Sequence, residues 1–262
     1  MKVIVFQGGL GNQLFQYCSY CKLKEDGFKV KALNGVGNSH NGFEIDKYFD
    51  VNIDFCSPLM STLYSLLMKR GWLKRTLISE EERTVYYSSK LFFKAYWQDK
   101  EYMPKHNCVS FKQLSLSDTN LFILDSIQGT DSVSIHIRRG DYLLPANKEI
   151  FGNICTRDYY NKAIQIIQNC LDNPRFYIFS NDSDWVKNNL CLDNAIYVDW
   201  NQGEDSIYDM FLMSKCKANI IANSSFSYWA AKISGNKTVI YPQKWWNHRT
   251  APDIFDDGWI AL

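Results

Sequence analysis

The chain reads as an α/β protein built from open parallel sheets with helices on both faces. Three observations lead there. Short apolar runs alternate with segments of helical period, most clearly after residue 131. A glycine-rich turn joins the first apolar run to the first helical segment, in "KVIVFQGGLGNQ" (2–13). Polar and charged residues gather just past the strand candidates, where open parallel sheets bind their ligands.

Residues 2–6 read as a buried strand and 13–25 as a helix, with Leu10, Leu14, Cys18 and Cys21 along one side. Residues 29–33 suit a second strand. The stretch 34–60, with its Gly, Asn and Pro, reads as loop. Residues 61–78 form an amphipathic surface helix interrupted at Gly71. Its four cations leave open a peripheral contact with a membrane. Residues 88–103 are aromatic-rich, and 117–128 look helical. Gly129-Thr130-Asp131 then marks a boundary, giving domains 1–128 and 129–262. In the second, strands are expected at 132–138, 175–180, 195–200, 218–223 and 237–241. Helices are expected at 158–171, 183–190, 205–216 and 225–234. Two such halves imply a cleft between them.

Composition narrows the function classes. The 262 residues are 46% hydrophobic and carry a net charge of +1. Cations are spread along the chain, so no nucleic-acid footprint is present. The start, "MKVIVFQGG", has too short an apolar run for a signal peptide. No stretch approaches the roughly 18 apolar residues of a membrane span. A soluble, cytoplasmic protein is expected, with its eight cysteines as free thiols. Cys18 and Cys21 form a C-x-x-C without a second pair, and their helical spacing suits a core face. No G-x-S-x-G, H-E-x-x-H, Walker A loop or local metal cluster occurs.

The stretch "SIHIRRGDY" (134–142) poses the main question: two adjacent arginines end a buried-looking strand. Ser180-Asn181-Asp182, Asp199 and Asn223-Ser224-Ser225 end three others, the last where a helix begins. Helix N-termini favour anions, and the arginine fork matches phosphate oxygens. The combination describes a pyrophosphate site, hence a nucleoside-diphosphate ligand, with Asp182 available to a base or ribose. His136 shares a strand face with Arg138. The alternative is internal: Arg138 and Arg139 pair with Asp141 and another carboxylate, Ser224, Ser225 and Ser227 act as caps, and Asp182 caps the helix behind it.

The segments "GGLGNQLFQY" (8–17), "SVSIHIRRGDYL" (132–143), "FYIFSNDSDW" (176–185) and "DMFLMSKCKANIIANSSFSYWAA" (209–231) resemble glycosyltransferase family 11, the α-1,2-fucosyltransferases. "AYWQDKEY" (95–102) is similar to that family's aromatic segment Gly-Tyr-Trp-Gln-Ser, with departures at Ala95 and Asp99. The resemblance runs from about residue 3 to 246 and says little over 34–85. It implies a GT-B fold of two Rossmann-like α/β domains facing a cleft, the first on the acceptor side and the second binding the donor. It implies GDP-β-L-fucose as donor, inversion at the anomeric carbon, no metal or other cofactor, and a terminal galactose fucosylated at its 2-hydroxyl. Arg138 would meet the β-phosphate, with His136 and Arg139 in support. Asp182, Asn223, Ser224, Ser225 and Ser227 would surround guanosine and pyrophosphate. Gly9, Gly11 and Asn12 would close over the donor. Asp141 is a candidate base, and Glu149 another. A GDP-sugar-binding protein without turnover, or a transferase of another GDP-deoxyhexose or linkage, are the competing readings.

Overall fold

The computed structural model describes residues 1–37, 40–72, 77–78, 91–190, 192 and 194–262. The chain divides into two compact units, 1–113 and 114–262.

In the first unit, β1 (Lys2–Phe6) is buried along its whole length. It pairs in parallel with β2 (Val30–Asn34) and with β4 (Phe92–Phe93), and β4 pairs with β3 (Leu77–Ile78). The sheet order is β2-β1-β4-β3. Val3, Val5, Leu33 and Phe92 pack against Met60, Tyr64 and Met68 of helix α3 (Pro58–Lys69). Alternation turns Ile4 and Phe6 to the opposite face. Helix α1 (Leu10–Glu25) is buried on more sides than its apolar spacing indicated, because Gln13, Gln16 and Ser19 are also fully buried. A short α2 (Ile45–Tyr48) breaks the stretch read as loop.

Helix α3 ends earlier than the sequence reading had it. Ser57 caps its start and Pro58 occupies the first turn. Gly71, at φ +70°, then stops it. The Gly71 N–H donates to Met68 O and the Trp72 N–H to Leu67 O, the double closure of a Schellman motif. Residues 73–76 of the expected helix lie outside the described residues.

The second unit begins with α4 (Asp118–Gln128). It continues β5 (Asp131–Ile137), α5 (Pro145–Phe151), α6 (Arg157–Cys170), β6 (Pro174–Ser180) and α7 (Ser183–Asn189). Then come β7 (Ala195–Val198), α8 (Ser206–Lys215), β8 (Ala218–Ile220), α9 (Ser225–Ser234), β9 (Val239–Tyr241) and β10 (Ile260–Ala261). The sheet is parallel throughout, in the order β10-β9-β8-β5-β6-β7. Counted from β5, that is the doubly wound order 3-2-1-4-5-6, with its switch point between β5 and β8.

One sheet face is dry: Val133, Ile135, Ile137, Phe176 and Ile178 pack on Tyr159, Tyr160, Ala163, Ile164 and Ile167 of α6. The other face carries polar groups. Asn219 donates to Ser134 Oγ at 2.7 Å, and Ser126 of α4 bonds the Tyr177 hydroxyl at 2.8 Å. Helix α4 packs on α8 and β5. It therefore belongs to the second unit, and the division falls after Gln113, where the sequence reading had put the boundary after residue 128.

Candidate active site

The two arginines leave β5 at the switch point. A tight turn, Gly140–Leu143, follows them. A Cβ on Gly140 would lie 2.5 Å from Asn181 Nδ2, so a side chain there would displace Asn181. The same Asn181 accepts the Arg139 N–H at 2.9 Å, so the ends of β5 and β6 are tied together.

Arg138 Nε stands 2.8 Å from Asp141 Oδ1, an ion pair without the alignment of a hydrogen bond. Its guanidinium lies 5.8 Å from the Tyr142 ring. Arg139 Nε donates to Asp182 Oδ2 at 2.9 Å and its guanidinium lies over Trp185 at 4.3 Å. Asp182 uses its other oxygen to accept the Trp185 N–H and cap α7. Both arginines thus have the carboxylate partners of the internal reading. Each pair runs through Nε, however, so neither uses the outward edge of the fork. The Arg138 side chain keeps 33% of its surface exposed. A cavity of about 260 Å³ opens beside them, lined among others by Arg138, Arg139, Tyr142, Phe151, Arg157 and Trp185. Cationic forks and aromatic rings in one wall suit a ligand with anionic and aromatic parts.

Across the switch point, β8 leads into Asn223 and α9. Asn223 is a structural hub. Its Nδ2 donates to Phe151 O and Trp245 O, its Oδ1 accepts from Cys155 Sγ, and its carbonyl accepts the Tyr142 hydroxyl. Burial drives the Cys155 thiol up to about 12 and raises the Tyr142 phenol. Ser224 caps α9 by accepting the Phe226 N–H. Ser227 is fully buried and donates back to Ser224 O. Of the three serines, Ser225 is the partly open one, in the first turn of α9.

His136 is 6% exposed, with its ring 5.8 Å from Phe226. Burial, and then the Arg138 charge, hold its imidazole down to about 3. It is neutral at physiological pH, and its Nδ1 has no partner among the described residues. Glu149, the other acid candidate, is exposed on α5 and lies 3.8 Å from His248.

Gly9, Gly11 and Asn12 belong to the first unit and are described within it. Gly8, at φ +76°, turns the chain, and Gly9 precedes α1 as its N-cap. Gly11 is buried in the first turn of α1. Asn12 Oδ1 accepts from Gln98 Nε2 at 2.9 Å, and Gln16 Nε2 donates to Gln7 O and Ala95 O. Gln13 Nε2 donates to Gly8 O and Gly42 O. The glycine loop and the aromatic segment after β4 are therefore held together, past the neighbouring strands β1 and β4.

Gln13, Gln16 and Asp209 escaped the sequence reading. The two glutamines were legible as polar residues three apart inside an apolar helix. Asp209, in the first turn of α8, accepts from Asn201 Nδ2 at 2.8 Å. Burial, with the Asp199 charge, raises its carboxyl to about 8 against the lowering by Asn201. It keeps its proton near neutrality at the strand-end side of the sheet. Among the described residues, no group of three or more His, Cys, Asp or Glu is placed to hold a metal ion.

Residues 67–262 match the model of the family described as glycosyl transferase family 11. The chain belongs to glycosyltransferase family 11. An alpha-1,2-colitosyltransferase of Escherichia coli is 31% identical over all of this chain and 99% of its own length. The O-antigen biosynthesis glycosyltransferase WbnK of the same species is 29% identical, covering 97% of this chain and 98% of its own. A mouse galactoside alpha-(1,2)-fucosyltransferase 2 is 27% identical over 43% of this chain and 33% of its own. In fold, the chain is similar to NodZ alpha-1,6-fucosyltransferase, a crystal soaked with GDP-fucose. That match has a TM-score of 0.53 at 11% identity and covers 87% of this chain and 91% of that one. The family 11 chain is thus a glycosyltransferase of GT-B type, with two Rossmann-like α/β units.

Proposed function

We propose that this family 11 enzyme transfers L-fucose from GDP-β-L-fucose to the 2-hydroxyl of a terminal galactose on a glycan precursor, inverting the anomeric carbon and using no metal. The observation that carries the reading is Arg138 at the switch point of the second sheet, lining one cavity with Asn223, which leads into α9. As the acceptor oxygen bonds to the sugar carbon, the bond to phosphate breaks and its electron pair goes to the β-phosphate. A fixed guanidinium and the amides of α9 neutralise that charge. Asp141 has two roles. It holds Arg138 through Nε, and it is the group that accepts the acceptor's hydroxyl proton. Asp182, Asn223, Ser224 and Ser227 shape the donor site from behind through caps and loop ties. Ser225, His136 and the arginine forks present its polar atoms.

Thermal denaturation with nucleotides tests this. GDP at about 100 times its dissociation constant should stabilise the chain by about 2.7 kcal/mol, with or without chelator. UDP should do much less. Equal effects of GDP and UDP, or a shift abolished by chelator, would overturn the reading.

A second reading has an observation of its own. The full-length relative at 31% identity is a colitosyltransferase, and colitose is the 3-deoxy counterpart of L-fucose. Turnover of GDP-fucose and GDP-colitose side by side separates them. A site that hydrogen-bonds the 3-hydroxyl prefers fucose strongly, since the deoxy sugar leaves that site's polar group unpaired.

A further inference from the structure

Helix α3 has two apolar faces and only one of them is used. Met60, Tyr64 and Met68 pack on the first sheet. On the opposite side, Leu59 is 82% exposed, Leu63 51% and Leu66 50%. Their spacing of four and three residues puts them in one stripe. Arg70 continues the same stripe past the helix end, and Trp72, 69% exposed, stands just beyond it. The Arg70 guanidinium lies 5.6 Å from the Trp72 ring. The Schellman closure at Gly71 fixes where that tryptophan leaves the helix.

The charges along the helix and its C-terminal end are of one sign. Lys69 and Arg70 are exposed at its end, and the sequence holds no carboxylate from Phe55 through Ser79. An apolar stripe flanked by cations, with an exposed tryptophan at its edge, is the pattern of a helix lying in a bilayer interface. Cations beside the surface favour anionic headgroups. No described helix is long and apolar enough to cross a membrane, so the contact is peripheral. We infer that the outer face of α3, from Leu59 to Trp72, docks the enzyme on an anionic phospholipid surface. This goes beyond the transfer reaction and does not depend on the identity of the donor.

Flotation of the full chain with vesicles tests it. Vesicles of phosphatidylcholine with phosphatidylglycerol should carry the protein, and pure phosphatidylcholine should carry far less. Leu63→Asp with Leu66→Asp should abolish flotation. Lys69→Gln with Arg70→Gln, which leaves the leucines in place, should weaken it by roughly 30-fold, and added salt should do the same. Circular dichroism reports whether each variant is folded. If the leucine variant fails to fold, the lysine–arginine variant and the salt dependence decide. The proposal is overturned if the wild-type chain stays unbound, if the variants float like wild type, or if both vesicle types bind alike. It is also overturned if sedimentation shows a dimer that the leucine variant dissociates while wild type does not float, since a second copy would then cover the face.

Discussion

In the proposed reaction Arg138 neutralises the charge that develops on the leaving phosphate. Removing a preorganised donor from developing negative charge typically costs about 10²–10³ in rate. Arg138→Ala should lower kcat by that much, and near-normal turnover would remove it from the reaction. Asp209 makes a different prediction. Its carboxyl rises from 3.8 to about 8 on folding, so the native chain holds a proton that the unfolded chain has released across that window. Its contribution to stability is full at low pH and fades as pH rises toward 8. Asp209→Asn cannot titrate. The melting temperature of the variant relative to wild type should therefore climb between about pH 4 and 8 and level off above. His136 has the opposite sign: its imidazole falls from 6.5 to about 3, so folding is favoured more as pH rises to about 6.5 and no further. The positions of the arginines, His136 and the serines near strand ends were legible because their residue types are out of place there. Asp209 was not, because its burial comes from folding, which brings Asn201, itself bonded to Asn120, against it.

The elements with strong period or strong caps were readable. Strands β1, β5 and β6 and helices α6 and α9 lie within a residue or two of their expected ends. Thr156, Asp182 and Ser224 cap the helices they precede, and Gly235 at φ +68° closes α9. Short strands whose identity comes only from pairing were missed: Phe92–Phe93 between two neighbours, and Ile260–Ala261 beside β9. Ser224→Ala removes a cap and should cost about 1 kcal/mol, read as a lowered melting temperature. Gly8→Ala is harsher. Its φ of +76° disfavours a side chain, and the added Cβ would sit 2.9 Å from Asn12 Nδ2. The backbone alone should cost roughly 1–2 kcal/mol, and turnover should fall with it because the glycine loop shifts.

Each unit gathers its polar motifs past its parallel strands. In the first, the glycine loop meets the aromatic segment that follows β4, the neighbour of β1; in the second, the sheet reverses its strand order between β5 and β8, and Tyr142 after the arginines meets Asn223 there. Motif positions were visible in the sequence. The reversal was not, because strand order depends on long-range pairing rather than local pattern. The boundary shows the same limit. Composition favoured Gly129, but Ile123 and Ile127 of α4 are buried and Asn120 joins Asn201 at 3.0 Å. A fragment of residues 114–262 should stay soluble and keep its GDP-induced thermal shift. A fragment of 129–262 should bind hydrophobic dye and aggregate, having bared the surface α4 covers.

In the proposed reaction the contact between Arg138 and Asp141 sets one cation between two anions. The guanidinium would be aimed and partly dry before a diphosphate arrives, and a phosphate on its outward edge would share its charge with a carboxylate three residues away. Repulsion between that carboxylate and a bound phosphate would then weaken affinity for the GDP product and speed its release. Replacing that carboxylate by an amide, as in Asp141→Asn, should tighten GDP binding and slow its release even as turnover drops.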